Sequence, residues 1–387
     1  MMKRFTAMLA AGAVGALALT ACGADETADD APAVALEAAP EAQNLAGACP
    51  AKVVVQLQWQ PQSDMGAMFG LLGPDAKVDA DKKSISASLV AQGKDTGVDL
   101  ELRAGGPAIG FQSVPSQMYV DDDITLGLVH GDQLVAASGE QRVVGVTPLL
   151  SHSPAILLWD PATFPEWKTI GDIGKSDAAV VVSKGQYYPA WLVAQGLLKK
   201  SQIDESYDGS PARFAGRPDI ALQGYANSEP YTFEKQTPAW NKPVSYQLLK
   251  DAGYDTYAAN VSARADKLEE LSPCLEKLVP IIQRSGVDYI TSPDAVNKVI
   301  TDMVADVISF SPYSEGEAAY SAKLLKDEGL LANEADGSLG TYDAERVKDQ
   351  VAMLAPVLKG AGVEVPADLE PADFFTDEFT DHEIGVQ

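Results

Sequence analysis

The chain has 387 residues, with 29 Lys and Arg set against 55 Asp and Glu and a formal net charge of −26. Nucleic-acid binding is excluded by that balance, because a phosphate backbone is held by clustered Lys and Arg and no such cluster occurs. The length exceeds what one hydrophobic core usually needs, so two lobes are expected.

In chain order, Lys3 and Arg4 precede an apolar run, residues 5–21, rich in Ala, Gly and Leu. That is the layout of a secretory signal, and the run is shorter than the roughly 20 residues a spanning helix needs. The run closes on Leu19-Thr20-Ala21-Cys22, which resembles the bacterial lipobox at which residues 1–21 are removed and Cys22 is diacylated. An extracytoplasmic protein anchored to the cell membrane through Cys22 is expected. Residues 22–49 are acidic, rich in Ala and Pro and without period, so a disordered tether is expected there. With Cys22 assigned to lipid, Cys49 and Cys274 remain. In an oxidising compartment they form a disulfide, or else they are two separately buried thiols.

From about Pro50, short β-rich runs alternate with amphipathic stretches, the pattern of α/β units on mostly parallel sheets. Strands are expected at 53–57, 98–102, 124–129, 142–146, 155–159, 178–182 and 220–223, with helices at 84–92, 132–138 and 189–199. Beyond about Ser262 only helices are expected, at 267–271, 274–284, 293–308, 315–328 and 344–358. Passages between strands at 149–159 and 246–260 read as crossings between lobes. They divide the chain into a first lobe of 50–154 and 246–387, which includes the C-terminal helices, and an inserted second lobe of 155–245. Ligand is expected at the carboxyl ends of the strands.

The segment from Val53 through Trp59-Gln60-Pro61-Gln62, Asp64 and Gly66 to Phe69-Gly70 reads as a strand, a Trp-x-Pro turn and the start of a helix. It resembles the opening of ABC-importer solute-binding proteins related to thiamine-pyrimidine synthase, a superfamily of sulfonate, nitrate, thiamine-pyrimidine and riboflavin binders. Asp64 stands where some relatives carry His or Gln. Further resemblances follow in the family's order: Gly105-Gly106-Pro107, the strand ending at His130-Gly131-Asp132, Ser151-His152-Ser153-Pro154, Lys184-Gly185 with Tyr187-Tyr188, and Tyr225 through Asn227, Glu229-Pro230 and Tyr231. Together they cover about residues 53–231. The resemblance implies an α/β, two-lobed periplasmic-binding-protein fold of type II with a hinge. It also implies a monomer that delivers a small molecule to a membrane permease, without cofactor or metal.

A cleft of that kind needs flat apolar walls and a few placed polar groups. Trp59, Phe69, Tyr187, Tyr188 and Tyr231 are the candidate walls, with some of them expected to be core instead. Gln62, Asp64, Gly106, Ser153, Asn227 and Glu229 are candidate contacts carried by the motif loops. His130 reads as a ligand contact or a cap for its own turn, and Asp132 as the N-cap of the following helix. Lys184, at a helix start, could receive an anionic group or be a solvated loop lysine. Rings outnumber fixed cations in these loops, which favours a planar heterocycle, pyrimidine- or flavin-like, over a small anion such as sulfonate or nitrate. Catalysis is not expected: there is no Gly-x-Ser-x-Gly elbow, no zinc spacing, and His130, His152 and His382 are the only histidines. A lipid-anchored receptor or adhesion protein with no small ligand is the remaining alternative.

Overall fold

The computed structural model describes residues 36–307 and 311–387. The signal, Cys22 and the first part of the expected tether lie outside them. Among the described residues, twelve strands form two sheets. The first sheet holds β1 (Lys52–Gln56), β2 (Lys77–Asp79), β3 (Ser84–Ala91), β4 (Lys94–Arg103), β5 (Leu126–Val129), β6 (Val143–Leu150) and β12 (Ala258–Arg264), in the order β2-β3-β4-β1-β5-β12-β6. The second holds β7 (Ala155–Trp159), β8 (Val180–Val181), β9 (Ile203–Asp204), β10 (Ala221–Tyr225) and β11 (Ser245–Leu248), in the order β11-β7-β10-β8-β9. At the centre of the first sheet β1 runs parallel to β4 and β5. Its Val53 and Val55 are buried in one apolar cluster and Val54 in another, as a strand covered on both faces requires.

The chain passes from the first sheet to the second at residues 151–154 and returns at 249–257. The two passages run side by side, with the Ser153 N–H donating to the Thr256 carbonyl at 3.0 Å. The rest of the chain is mostly helical. The helices that matter for the site are α1 (Gly131–Ala136), α2 (Tyr188–Ala194), α3 (Leu268–Thr291), α4 (Asp294–Val307), α5 (Glu315–Asp327) and α6 (Ala344–Gly360). One helix, α3, covers the two expected at 267–271 and 274–284 and runs through Pro273 and Pro280, because burial of Leu275, Leu278 and Ile282 outweighs the broken backbone pattern.

Three expectations are corrected. The sheets are not mostly parallel: among the described residues β2 with β3, β3 with β4, β5 with β12, β12 with β6, β7 with β10 and β7 with β11 pair antiparallel, and only β1 with β4 and β5 and β8 with β9 and β10 pair parallel. Residues 84–92 are not a helix: β3 alternates buried Ile85, Ala87 and Leu89 with serines and pairs antiparallel with β4. The two strands join through Gln92 and Gly93, both at positive φ (50° and 79°), as a tight hairpin turn demands. The abundance of Ala and Ser hid a period of two. The tether does not extend to Cys49 either. The Ala39 N–H donates to the Asp95 carbonyl at 2.7 Å, Leu45 is fully buried, and Cys49 is disulfide-bonded to Cys274 in α3.

Candidate ligand cleft

The loop after β1 builds one wall. Trp59 follows the strand end and lies against Gly106: a Cβ at Gly106 would come within 2.5 Å of the indole, and this glycine sits at φ 56°. Gly105 is equally constrained, since a Cβ there would meet the Leu57 carbonyl at 2.0 Å. The paired glycines therefore let the Trp59 loop and the loop after β4 close on each other, which no side chain would allow. Phe111, beyond the same glycines, is 62 % exposed, and its ring centre lies 5.9 Å from that of Trp59. The sequence reading missed Phe111. A Gly-Gly-Pro turn that returns the chain toward the tryptophan was the signal available.

Polar groups of this loop point inward. The Gln58 side-chain N–H donates to Asp64 Oδ2 at 3.3 Å, while Gln58 Oε1 and Asp64 Oδ1 are buried with no hydrogen-bond partner. Burial lifts the Asp64 carboxyl to about 6, against the pull of the Gln58 hydrogen bond. Gln62 is half-buried, and its carbonyl accepts the Met65 N–H at 3.1 Å. Ser63 fastens the loop from behind, with its Oγ donating to Asn297 Oδ1 in α4 at 2.9 Å.

At the end of β5, His130 precedes α1 without capping it through its side chain. Burial lowers the His130 pKa, with the nearby Asp132 charge opposing. Asp132 is not the helix cap expected for it. Its Oδ2 accepts the Tyr254 hydroxyl at 3.0 Å, tying the wall to the returning passage.

On the side of the second sheet stand Tyr187, before α2, Tyr225, at the end of β10, and Glu229 just beyond it. Burial, and after it the charge of Asp132, raises the Tyr187 phenol. Burial and then the charges of Glu229, Asp132 and Asp64 hold the Tyr225 phenol well above its ordinary value. One phenol of the second lobe thus feels two carboxylates of the first. Glu229 accepts the Tyr225 N–H at 2.6 Å, and burial lifts its carboxyl to about 7.

Other candidates stand elsewhere. Phe69 is 2 % exposed and packs in the core beneath the first sheet. Tyr188 is buried, donating to Gln223 Oε1 at 3.1 Å. Ser153 belongs to the outgoing passage, where its Oγ accepts the Ala155 N–H. Asn227 donates to Ser321 Oγ in α5 at 3.2 Å, and Tyr231 lies on Gly316 of the same helix, where a Cβ would meet its hydroxyl at 2.1 Å. Lys184 is exposed on its loop. Trp59 and Gly106 are in contact, and the charges of Asp64, Asp132 and Glu229 act on the Tyr225 phenol, with Asp132 acting also on His130 and Tyr187. The structure turns Asn227 and Tyr231 onto α5.

Two sheets joined by paired crossings are the arrangement of the two-lobed periplasmic-binding-protein fold. No family model matches the chain, and no curated protein matches it by sequence. Solved structures do. The chain is similar to a periplasmic sulfonate-binding protein, SsuA, of Methylobacillus flagellatus KT (13 % identity, TM-score 0.54, covering 86 % of this chain and 93 % of that one). It is similar to the alkanesulfonate-binding protein SsuA of Xanthomonas axonopodis pv. citri bound to MOPS (10 %, 0.52, 84 % and 98 %). It is also similar to the periplasmic nitrate-binding protein NrtA of Synechocystis PCC 6803 (8 %, 0.53, 85 % and 87 %). The resemblance seen in the Trp59, Gly106 and Glu229 segments thus extends to the fold. Among the described residues no helix is long and apolar enough to cross a membrane.

Proposed function

We propose that this protein is an extracytoplasmic solute-binding protein of an ABC importer, held at the cell membrane by a diacylated Cys22 and without catalytic activity. Its lobes, divided at the two crossings, close on a small solute between Trp59 on one side and Tyr187, Tyr225 and Glu229 on the other. The observation that carries this reading is the Trp59 indole seated on Gly106 at the strand ends. Such a platform suits a flat ring, and stacking on an aromatic side chain contributes about 1–3 kcal/mol per ring.

The neighbours named for sulfonate and nitrate support a second reading, a small anion, and they support it more than a heterocycle. The carboxyls around Tyr225 weigh against a fixed negative charge in the same space. Thermal denaturation with vitamins, amino-heterocycles, sulfonates and nitrate tests the proposal, because a ligand bound only by the folded state raises Tm by mass action. Failure of every small solute to do so overturns it in favour of a receptor that needs no small ligand. Retention of the Cys22→Ala variant at the membrane overturns the anchor.

A further inference from the structure

The loop after β1 holds three buried side-chain acceptors that no protein donor reaches: Gln58 Oε1, Gln60 Oε1 and Asp64 Oδ1. The orientations of both amides are decided by their surroundings. Gln58 must turn its N–H toward the Asp64 carboxylate, and Gln60 must turn its N–H toward the Ser311 carbonyl at 3.2 Å, because neither of those oxygens can donate once Asp64 is ionised. Rotating either amide would put oxygen against oxygen. Buried acceptors are ordinarily paired, so this concentration beside Trp59 is a feature to explain.

The same loop faces carboxyls. Among the described residues Asp64, Asp132 and Glu229 form no ion pair, whereas other acids of the chain do, including Glu101 with Lys52 and buried Asp160 with Lys242. The Asp64 charge acts on the Tyr225 phenol of the second sheet, so the two side chains lie near each other across the two sheets. The one lysine expected to receive an anion, Lys184, is exposed.

Resting on the solute-binding reading, we propose that the solute presents nitrogen donors to the Trp59 loop, as an amino, amidino or ammonium group on or beside a flat ring, and that sulfonates and nitrate are rejected. Unpaired acceptors accept such donors, and a carboxylate strengthens the bond by its charge. A sulfonate oxygen would instead meet three acceptors.

The test is calorimetric titration of the full chain with benzamidine, 4-aminopyrimidine, benzenesulfonate and nitrate, repeated with Asp64→Asn and Glu229→Gln. In parallel, the molecule that the protein captures from a soluble metabolite extract is identified by mass spectrometry after denaturation. Binding of a nitrogen probe that Asp64→Asn weakens about tenfold or more, or a captured molecule bearing a basic or amino nitrogen, supports the proposal. Tighter binding of benzenesulfonate or nitrate, a nitrogen probe indifferent to Asp64→Asn, or a captured molecule whose polar groups are all anionic overturns it while leaving the solute-binding function standing. No probe bound and nothing captured overturns both.

Discussion

His152 Nδ1 stands 2.7 Å from Asp255 Oδ1, one residue on the outgoing passage and the other on the returning one, so the two crossings are bolted together by their side chains. Arg346 of α6 completes the clasp: its Nε lies 3.2 Å from Asp255 Oδ2, its Nη1 3.2 Å from Glu334 Oε1, and its guanidinium 4.0 Å over the Tyr257 ring. Burial pushes the Asp255 carboxyl up, but the His152 hydrogen bond and the Arg346 charge outweigh it, and the net shift is downward. A fork of donors holds both passages to one helix.

Arg346→Ala is expected to destabilise by about 2–4 kcal/mol, because it strands two partly buried carboxylates. Arg346→Lys should recover only part of this, since an ammonium cannot reproduce the fork. Urea unfolding measures the loss. Wild-type stability in the alanine variant would show that the clasp carries no load.

Gly106→Ala should displace the Trp59 indole, both by direct overlap and by strain at positive φ. The expected consequence is about a tenfold loss of affinity for whichever solute stabilises the wild type, and a larger loss for Trp59→Ala. Phe111→Ala should fall between wild type and Trp59→Ala. Calorimetry gives the ranking, and unchanged Kd in all three variants would remove this wall from the site.

The stability contributed by Asp64 and Glu229 should fall as pH rises from about 4 to 7, partly offset by His130, whose lowered pKa favours folding as pH rises. Asp64 rises from 3.8 to about 6 and Glu229 from 4.5 to about 7 on folding, so in this window these two groups hold more protons in the folded chain than in the unfolded one. Stability from these groups is complete below their unfolded values and is lost as each ionises in the fold. Each contributes on the order of 2–3 kcal/mol across the window. Glu229→Gln should flatten the profile of Tm against pH. A variant whose profile keeps the wild-type slope would exclude Glu229 as a source.

The Cys49–Cys274 disulfide closes a separation of 225 residues and pins residues 36–49 against α3. In the chain-entropy model a loop of this size corresponds to about 5–6 kcal/mol. The double variant Cys49→Ser, Cys274→Ser should lose a comparable amount, and dithiothreitol should lower the Tm of the wild type but not of the variant. Equal Tm with and without reductant in the wild type would argue against the bridge.

The run at 155–159 could be read as a strand from its local residues because an apolar segment bounded by Pro154 and Asp160 leaves little choice. Residues 84–92 could not, since Ala and Ser serve either element and only pairing with β4 made the run a strand. Trp59 and Gly106 were legible as a pair of motif loops. Their contact depends on β1 and β4 lying side by side. Tyr187 and Tyr188 are adjacent in sequence, yet one is half-buried near Asp132 and the other is packed onto Gln223, a difference set by the rotation of α2 against the second sheet.

By itself the chain's pattern of apolar runs, turns and glycines determined the alternation of strands and helices and the loops that could carry a ligand, because those are local and periodic properties. Only the tertiary structure decided that the charges of Asp64, Asp132 and Glu229 act on Tyr225, that Asn227 serves α5, and that three acceptors stay unpaired beside Trp59. Burial and charge at a site are sums over residues far apart along the chain, and no local stretch contains them.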